Sequence, residues 1–510
     1  MVHEPEKSDP FTVAAKPANN SGRSEAESVE RREGAEGNTI KNRTYRTQSR
    51  TSVYPGLERV RERAKAEKKE RFTALLHHVD VDLLRVGFSW LKRDAAPGVD
   101  GLTWRQYEQD LEARLVDLHA RVHRGAYRAL PSRRKFIPKA DGRERPLGIA
   151  ALEDKIVQRA VVEVFNAIYE QEFLGFSYGF RPGRGQHDAL DALAVGITHT
   201  EVNWILDIDV RSFFDTVSHE WLIRFVEHRI GDPRMIRLIR KWLKAGVLED
   251  GQWSSSEAGT PQGAVVSPTL ANLYLHYSFD LWAERWRRNE AHGNVILVRY
   301  CDDIVAGFEH QSDAERFQVE LRERLEKFAL SLHPDKTRLI EFGRHAAEHR
   351  SGRGLGKPET FNFLGFTHIC GRSRRGSFLL HRKTRRDRMR AKLRTLKAEL
   401  KRRMHQPIPQ QGRWLAQVVR GYFAYHAVPT NSRRLNAFRY HVTQLWRRTL
   451  RRRSQKDWTT WQRTSRLAAA YLPLPRILHP WPNVRFAVKH PRWEPGARIA
   501  PAGICAGGAQ

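Results

Sequence analysis

Residues 295–308, Val295-Ile296-Leu297-Val298-Arg299-Tyr300-Cys301-Asp302-Asp303-Ile304-Val305-Ala306-Gly307-Phe308, are two apolar runs around an acidic break. The runs 295–300 and 304–308 have the length and composition of short buried strands, so the chain must turn at the Asp-Asp pair. Two carboxylates crowded into a hydrophobic hairpin disfavour each other's ionisation, and a divalent cation reverses that penalty. Asp-Asp turns are also frequent in solvated loops, so the pair decides little by itself. A third carboxylate, Asp209, ends another apolar run, Trp204-Ile205-Leu206-Asp207-Ile208. Asp209 and Asp302 lie 93 positions apart (302 − 209), and a packed sheet is needed to bring them together. Hard oxygen ligands with room for water and phosphate suit magnesium. Two such ions about 4 Å apart are the means by which a 3′-hydroxyl is activated against an α-phosphate.

The bulk composition points to the same substrate class. The chain has 510 residues with 89 Lys+Arg against 58 Asp+Glu, a net charge of +31. Such an excess repels itself unless a polyanion is near, and nucleic acid is the commonest large one. No stretch approaches the roughly 20 uninterrupted apolar residues of a membrane span, and Met1 to Pro10 is polar rather than signal-like. The three cysteines, Cys301, Cys370 and Cys505, are too scattered for a disulfide framework or a zinc site of Cys pairs. A cytoplasmic, nucleoid-associated protein with no membrane contact is the expectation.

Outward from the acidic break, an α+β core is expected. Residues 1–54 lack an apolar period and are read as disordered; 55–130 are read as a helical extension, with one charged helical stretch over 57–79 and Thr103 as a helix cap. Residues 131–380 mix short strands and helices, including a hairpin around Ala140-Asp141-Gly142. Residues 381–490 are read as helical and basic, with twelve Lys+Arg against Asp387 and Glu399 in 381–404. That density suits a phosphate-facing surface. Aromatics further on, such as Tyr422, Trp446 and Trp461, could stack on bases, although most are better read as core. Residues 491–510 are read as a loose tail.

Several blocks in a fixed order carry a resemblance. Tyr300-Cys301-Asp302-Asp303 and Asp209-Val210-Arg211-Ser212-Phe213-Phe214-Asp215 resemble the paired active-site motifs of reverse transcriptases. Gly259-Thr260-Pro261-Gln262-Gly263, with Leu270-Ala271-Asn272, resembles a block of the group II intron-encoded enzymes. Ile137-Pro138-Lys139, Arg145–Ile149, Phe176–Gly183, Leu332–Thr337 and Phe363–Phe366 follow the same family's order. The resemblance implies a right-hand polymerase fold, fingers and palm with an antiparallel sheet, followed by an α-helical thumb and maturase domain. It also implies RNA-directed DNA synthesis by Asp209, Asp302 and Asp303 holding two Mg2+ ions. Lys139, Arg145, Phe214, Gln262 and Lys336 are then nucleotide-binding, with Phe214 excluding a 2′-hydroxyl. Arg181, Arg382, Lys383, Arg385 and Arg386 are template or RNA contacts, and His187 and His333 are structural or template-side. The family usually has Ala where this chain has Cys301. The implied partners are group II intron RNA, an RNA template with a DNA primer, target DNA and dNTPs, and a homodimer is allowed. Too few cysteines follow for a Cys-paired nuclease domain, so no endonuclease activity is expected. A non-catalytic splicing maturase, or a domesticated reverse transcriptase in phage defence, repair or a CRISPR setting, would share much of this pattern.

Overall fold

The structure is a computed structural model; it describes residues 55–138, 144–249, 251–254, 258–260, 263–453 and 459–489. The expectations for 1–54 and 491–510, the turn Ala140-Asp141-Gly142, Lys139 and Gln262 lie outside the described residues, as do the side chains of Pro138 and Arg145.

The N-terminal helices form where caps and apolar faces coincide. Asp80 accepts from the Leu83 N–H and starts the helix Val81–Ser89, and Thr103 with Gln106 forms a capping box on Trp104–Glu108. Leu115, Leu118 and Val122 are buried along the helix Leu111–His123. The single helical stretch expected over 57–79 is not formed. The helix Pro55–Ala66 stops early, because Phe72 instead exchanges backbone hydrogen bonds with Arg229 (2.8 Å) and Gly231 (2.6 Å).

Three sheets follow. Strands β1 (Ser132–Pro138) and β2 (Glu144–Ile149) form the anticipated antiparallel pair. β3 (Trp204–Asp209) comes next. β4 (Val247–Glu249) and β5 (Gln252–Ser254) extend the first sheet in the order β2-β1-β4-β5. β6 (Val295–Tyr300), β7 (Asp303–Phe308) and β8 (Arg338–Glu341) join β3 in an antiparallel sheet of order β6-β7-β3-β8. Every residue of β6 is buried, as befits a strand covered by the helix Gln186–His199, whose Gly196 lies against Ile296. The α+β class holds.

The third sheet is β9 (Phe361–Phe363), β10 (Phe366–Arg372) and β11 (Phe378–Thr384), ordered β11-β10-β9. Since β11 runs through His381, the helical region begins at Arg386, not at residue 381. Cross-strand pairing with β10, from Phe366↔Thr384 to Arg372↔Phe378, overrides the basic, helix-compatible composition there. The helices Arg386–Arg402, Ile408–His426 and Ser432–Arg451 then share a core of Leu396, Leu415, Phe423, Phe438 and Trp446. Tyr422 stacks on Phe438 at 3.5 Å, so Tyr422 and Trp446 are core residues and not base-stacking ones.

Candidate active site

The site begins at a two-residue turn. Tyr300 pairs directly with Asp303 across β6 and β7, leaving Cys301 and Asp302 as the connection. Tight hairpins of this length need positive φ, and Cys301 has φ +57°. β7 in turn pairs with β3, and the terminal pair of that ladder is Asp209↔Asp303. Directly opposed residues on adjacent strands have Cβ atoms about 4.5–5.5 Å apart, so the sheet unites carboxylates from two distant segments at one end. Asp302 sits half-buried beside them in the turn, and Asp303 is exposed.

These acids repel one another. The Asp303 carboxyl is pushed up to about 7 by crowding protein atoms and then by Asp302, Asp207 and Asp209, with Arg388 opposing. Because Asp303 is open to solvent, the neighbouring charges are the firmer cause. Asp207 was missed as a site residue: it lies on the same face of β3 two positions before Asp209, and its carboxyl is raised to about 6, chiefly by burial. The period-two rule of strands would have found it. Among the described residues no three His, Cys, Asp or Glu side chains already close around one metal-sized point. Even so, a cluster of hard oxygen donors under mutual repulsion at an accessible sheet end is the donor set that suits magnesium.

Lys336 approaches from β3's other side. Its Nζ lies 3.2 Å from Asp209 Oδ1 and 3.3 Å from Oδ2. The 331–337 segment is tied to β3's end: Arg211 N–H donates to the Ser331 carbonyl (2.8 Å), and His333 N–H to the Asp209 carbonyl (2.8 Å). His333 is thus held by its backbone.

Phe214 is half-buried on the short helix Phe213–Thr216, with its ring edge-on to the core residue Phe213. Its carbonyl accepts from Thr260 N–H at 2.7 Å, and Gly259 (φ +85°) lies so close that a Cβ would stand 2.7 Å from that carbonyl. At the far end of this block, a Cβ on Gly263 would stand 2.7 Å from the Gly148 carbonyl of β2. Gly259 and Thr260 thus pack on the Phe214 backbone, and Gly263 on the β1–β2 hairpin. Arg145 pairs with Ile137 in that hairpin.

The 176–183 block braces the turn from behind. The Tyr178 N–H donates to the Arg299 carbonyl at 2.8 Å, and a Cβ on Gly179 would meet Cys301 N at 2.4 Å. Arg181, expected as a template contact, is instead buried. Its guanidinium bonds Glu170 (2.9–3.1 Å) and the carbonyls of Leu174 (2.8 Å) and Ser177 (2.7 Å). Arg382 is likewise turned inward, donating to buried Asp191 at 2.9 Å. Both are corrections with one physical reason: a fixed carboxylate inside the fold captured the guanidinium. Arg385 pairs with Asp387 at 2.7 Å, Lys383 is half-buried, and Arg386 is exposed. His187 is stacked on His479 with ring centroids 3.9 Å apart. Burial pushes the Cys301 thiol well above its ordinary value, which disfavours the reactive thiolate.

Residues 137–368 match the reverse transcriptase (RNA-dependent DNA polymerase) family. The chain is 35% identical over 315 residues to Protein YkfC of Escherichia coli, covering 55% of this chain and 77% of that one. It is 34% identical over 222 residues to the group II intron-encoded protein LtrA of Lactococcus lactis, covering 43% and 37% respectively. It is 29% identical over 194 residues to the mitochondrial nuclear intron maturase 3 of Arabidopsis thaliana, covering 34% and 26%. With the acidic cluster on one sheet end and these matches in hand, the chain belongs to the group II intron-encoded reverse transcriptase family.

Proposed function

We propose that this protein copies intron RNA into DNA and also binds that RNA to assist its splicing. The observation that carries the polymerase reading is the Asp209↔Asp303 cross-strand pair beside Asp302. Held by these three carboxylates, two magnesium ions would supply the charge that activates a primer 3′-hydroxyl and offsets the leaving pyrophosphate. Lys336, at the edge of the cluster, faces the phosphates of an incoming dNTP, with Lys139 and Arg145 as further nucleotide-binding residues. Phe214 sits under the sugar and excludes a 2′-hydroxyl, and Gln262 is a further nucleotide-binding residue.

On this reading residues 131–385 are fingers and palm, and the helical region from Arg386 is thumb and maturase domain. The exposed Arg386, Arg388, Arg390 and Arg394 on the first thumb helix face the template–primer backbone. The splicing role is supported by the likeness to the group II intron-encoded protein LtrA and to the nuclear intron maturase. Target DNA is the second nucleic-acid partner, which places the work beside the nucleoid.

The deciding experiment is magnesium-dependent extension of oligo(dT) on poly(rA), beside binding of intron RNA. Asp302→Ala with Asp303→Ala is expected to abolish extension and leave RNA binding largely intact. Extension at full rate by that double variant refutes the assignment. Replacing Phe214 with Val is expected to admit ribonucleotides.

A further inference from the structure

Arg299 is the penultimate residue of β6, just before the catalytic turn, and is fully buried. A guanidinium in a sheet core is costly unless its donors are met. Nε donates to Asp280 Oδ1 at 2.7 Å and Nη2 to Asp280 Oδ2 at 2.5 Å, a fork on a carboxylate. Nη2 also reaches Ser177 Oγ at 2.8 Å. Nη1 donates to Asn272 Oδ1 at 2.9 Å and to the Cys301 carbonyl at 3.1 Å. Asp280 is itself buried and closes a π turn, His276–Asp280, of the kind that often marks functional sites. Burial pushes its carboxyl up, but Arg299 and His276 outweigh that and leave it below the ordinary value.

An ion pair this deep is a poor way to gain stability, since well-packed apolar residues commonly do as well or better. What an apolar residue cannot do is bond the carbonyl of Cys301. That carbonyl belongs to the left-handed residue of the turn, and its direction fixes the peptide leading into Asp302. The other side of Cys301 is fixed too. Asn272, which accepts from Arg299, donates from Nδ2 to the Gly179 carbonyl at 2.6 Å, and Gly179 abuts the Cys301 nitrogen.

We infer that Arg299, oriented by Asp280 and Asn272, is a positioning residue for the polymerase reaction: by holding the Cys301 carbonyl it sets how Asp302 and Asp303 present their carboxylates. The inference rests on the polymerase reading above, and it draws Ser177, Asn272 and Asp280 into one catalytic support. None of these touches substrate.

The test uses Arg299→Lys, which keeps a charge for Asp280 but cannot reach all five acceptors, and Asn272→Ala, which leaves the Arg299–Asp280 pair intact. Two readouts are taken on the full chain: hydrogen–deuterium exchange of the metal-free protein, and the single-turnover extension rate per folded molecule. Exchange of the peptide spanning 299–304 is expected to accelerate selectively in both variants. The rate is expected to fall roughly tenfold or more, with template–primer affinity unchanged, because sub-ångström misplacement of reacting groups is costly. Uniform acceleration of exchange across the chain, or an unchanged rate per folded molecule, would show a plain core ion pair and overturn the inference. If Arg299→Lys does not fold, Asn272→Ala decides on the same two readouts. A wild-type protein unable to extend any primer sinks the polymerase reading instead, and the exchange comparison still judges the brace.

Discussion

Replacing Gly179 by Ala adds one methyl group behind the Tyr300–Asp303 turn, and the structure sets the size of the effect. The new Cβ would lie 2.4 Å from Cys301 N, 2.9 Å from the Tyr300 carbonyl carbon and 3.2 Å from Cys301 Cα. All three are backbone atoms, so no side chain can swing aside. Ordinary contact starts near 3.4 Å, so the turn and the 177–179 segment must separate by about 1 Å. The Asn272 bond to the Gly179 carbonyl resists movement on one side, and the β6–β7 ladder resists it on the other. A misplacement of about 1 Å can cost on the order of 100-fold in rate, equivalent to about 2.7 kcal/mol of barrier. Overpacking of this kind costs about 1–3 kcal/mol of stability, which a domain this size tolerates. The assay is single-turnover extension of a DNA primer on an RNA template, with template affinity and a thermal melt measured in parallel. A variant that extends at the wild-type rate would refute the claim that this block braces the turn.

Three further outcomes follow from the same geometry. The Asp303 carboxyl, near 7 when folded against an ordinary 3.8, keeps its proton longer in the native state than in the unfolded chain. Stability of the metal-free protein should therefore fall as pH rises from about 4 through about 7, more gently than full burial would give because Asp303 is exposed. Asp303→Asn should flatten the melting-temperature profile between about pH 4 and about pH 7, and an equal slope in both proteins would count against the repulsion. Lys336→Ala removes a pair whose partners are 47% and 37% exposed, so stability should change by less than about 1 kcal/mol. Extension should slow about tenfold as the phosphates lose a cation, and an unaltered rate would remove Lys336 from the site. Arg382→Ala strands a buried carboxylate, although Arg485 also pairs with Asp191, so a loss near the low end of about 3–5 kcal/mol is expected. RNA affinity of the folded fraction should stay the same, whereas an RNA contact would show the opposite pattern.

The sequence by itself determined which carboxylates to look for at the end of the sheet. Asp209, Asp302 and Asp303 were legible because each ends or interrupts an apolar strand, a local signal that burial of a sheet imposes on composition. The three strands of the site were legible for the same reason, whereas the β1–β2 hairpin was legible from the turn chemistry of the Asp141-Gly142 pair between its arms. What only tertiary structure decided is where the arginines go. Arg181, Arg382 and Arg299 are chemically identical to the exposed Arg386 and Arg388, and nothing within a few residues separates them. Their fates depend on Glu170, Asp191 and Asp280, carboxylates 11, 191 and 19 positions away that the fold delivers to them. The strand through His381 was hidden likewise, since its partner β10 outweighs a local composition that suits a basic helix. Local propensity is a weak bias, and a long-range partner that removes a charge or a peptide group from water overrides it.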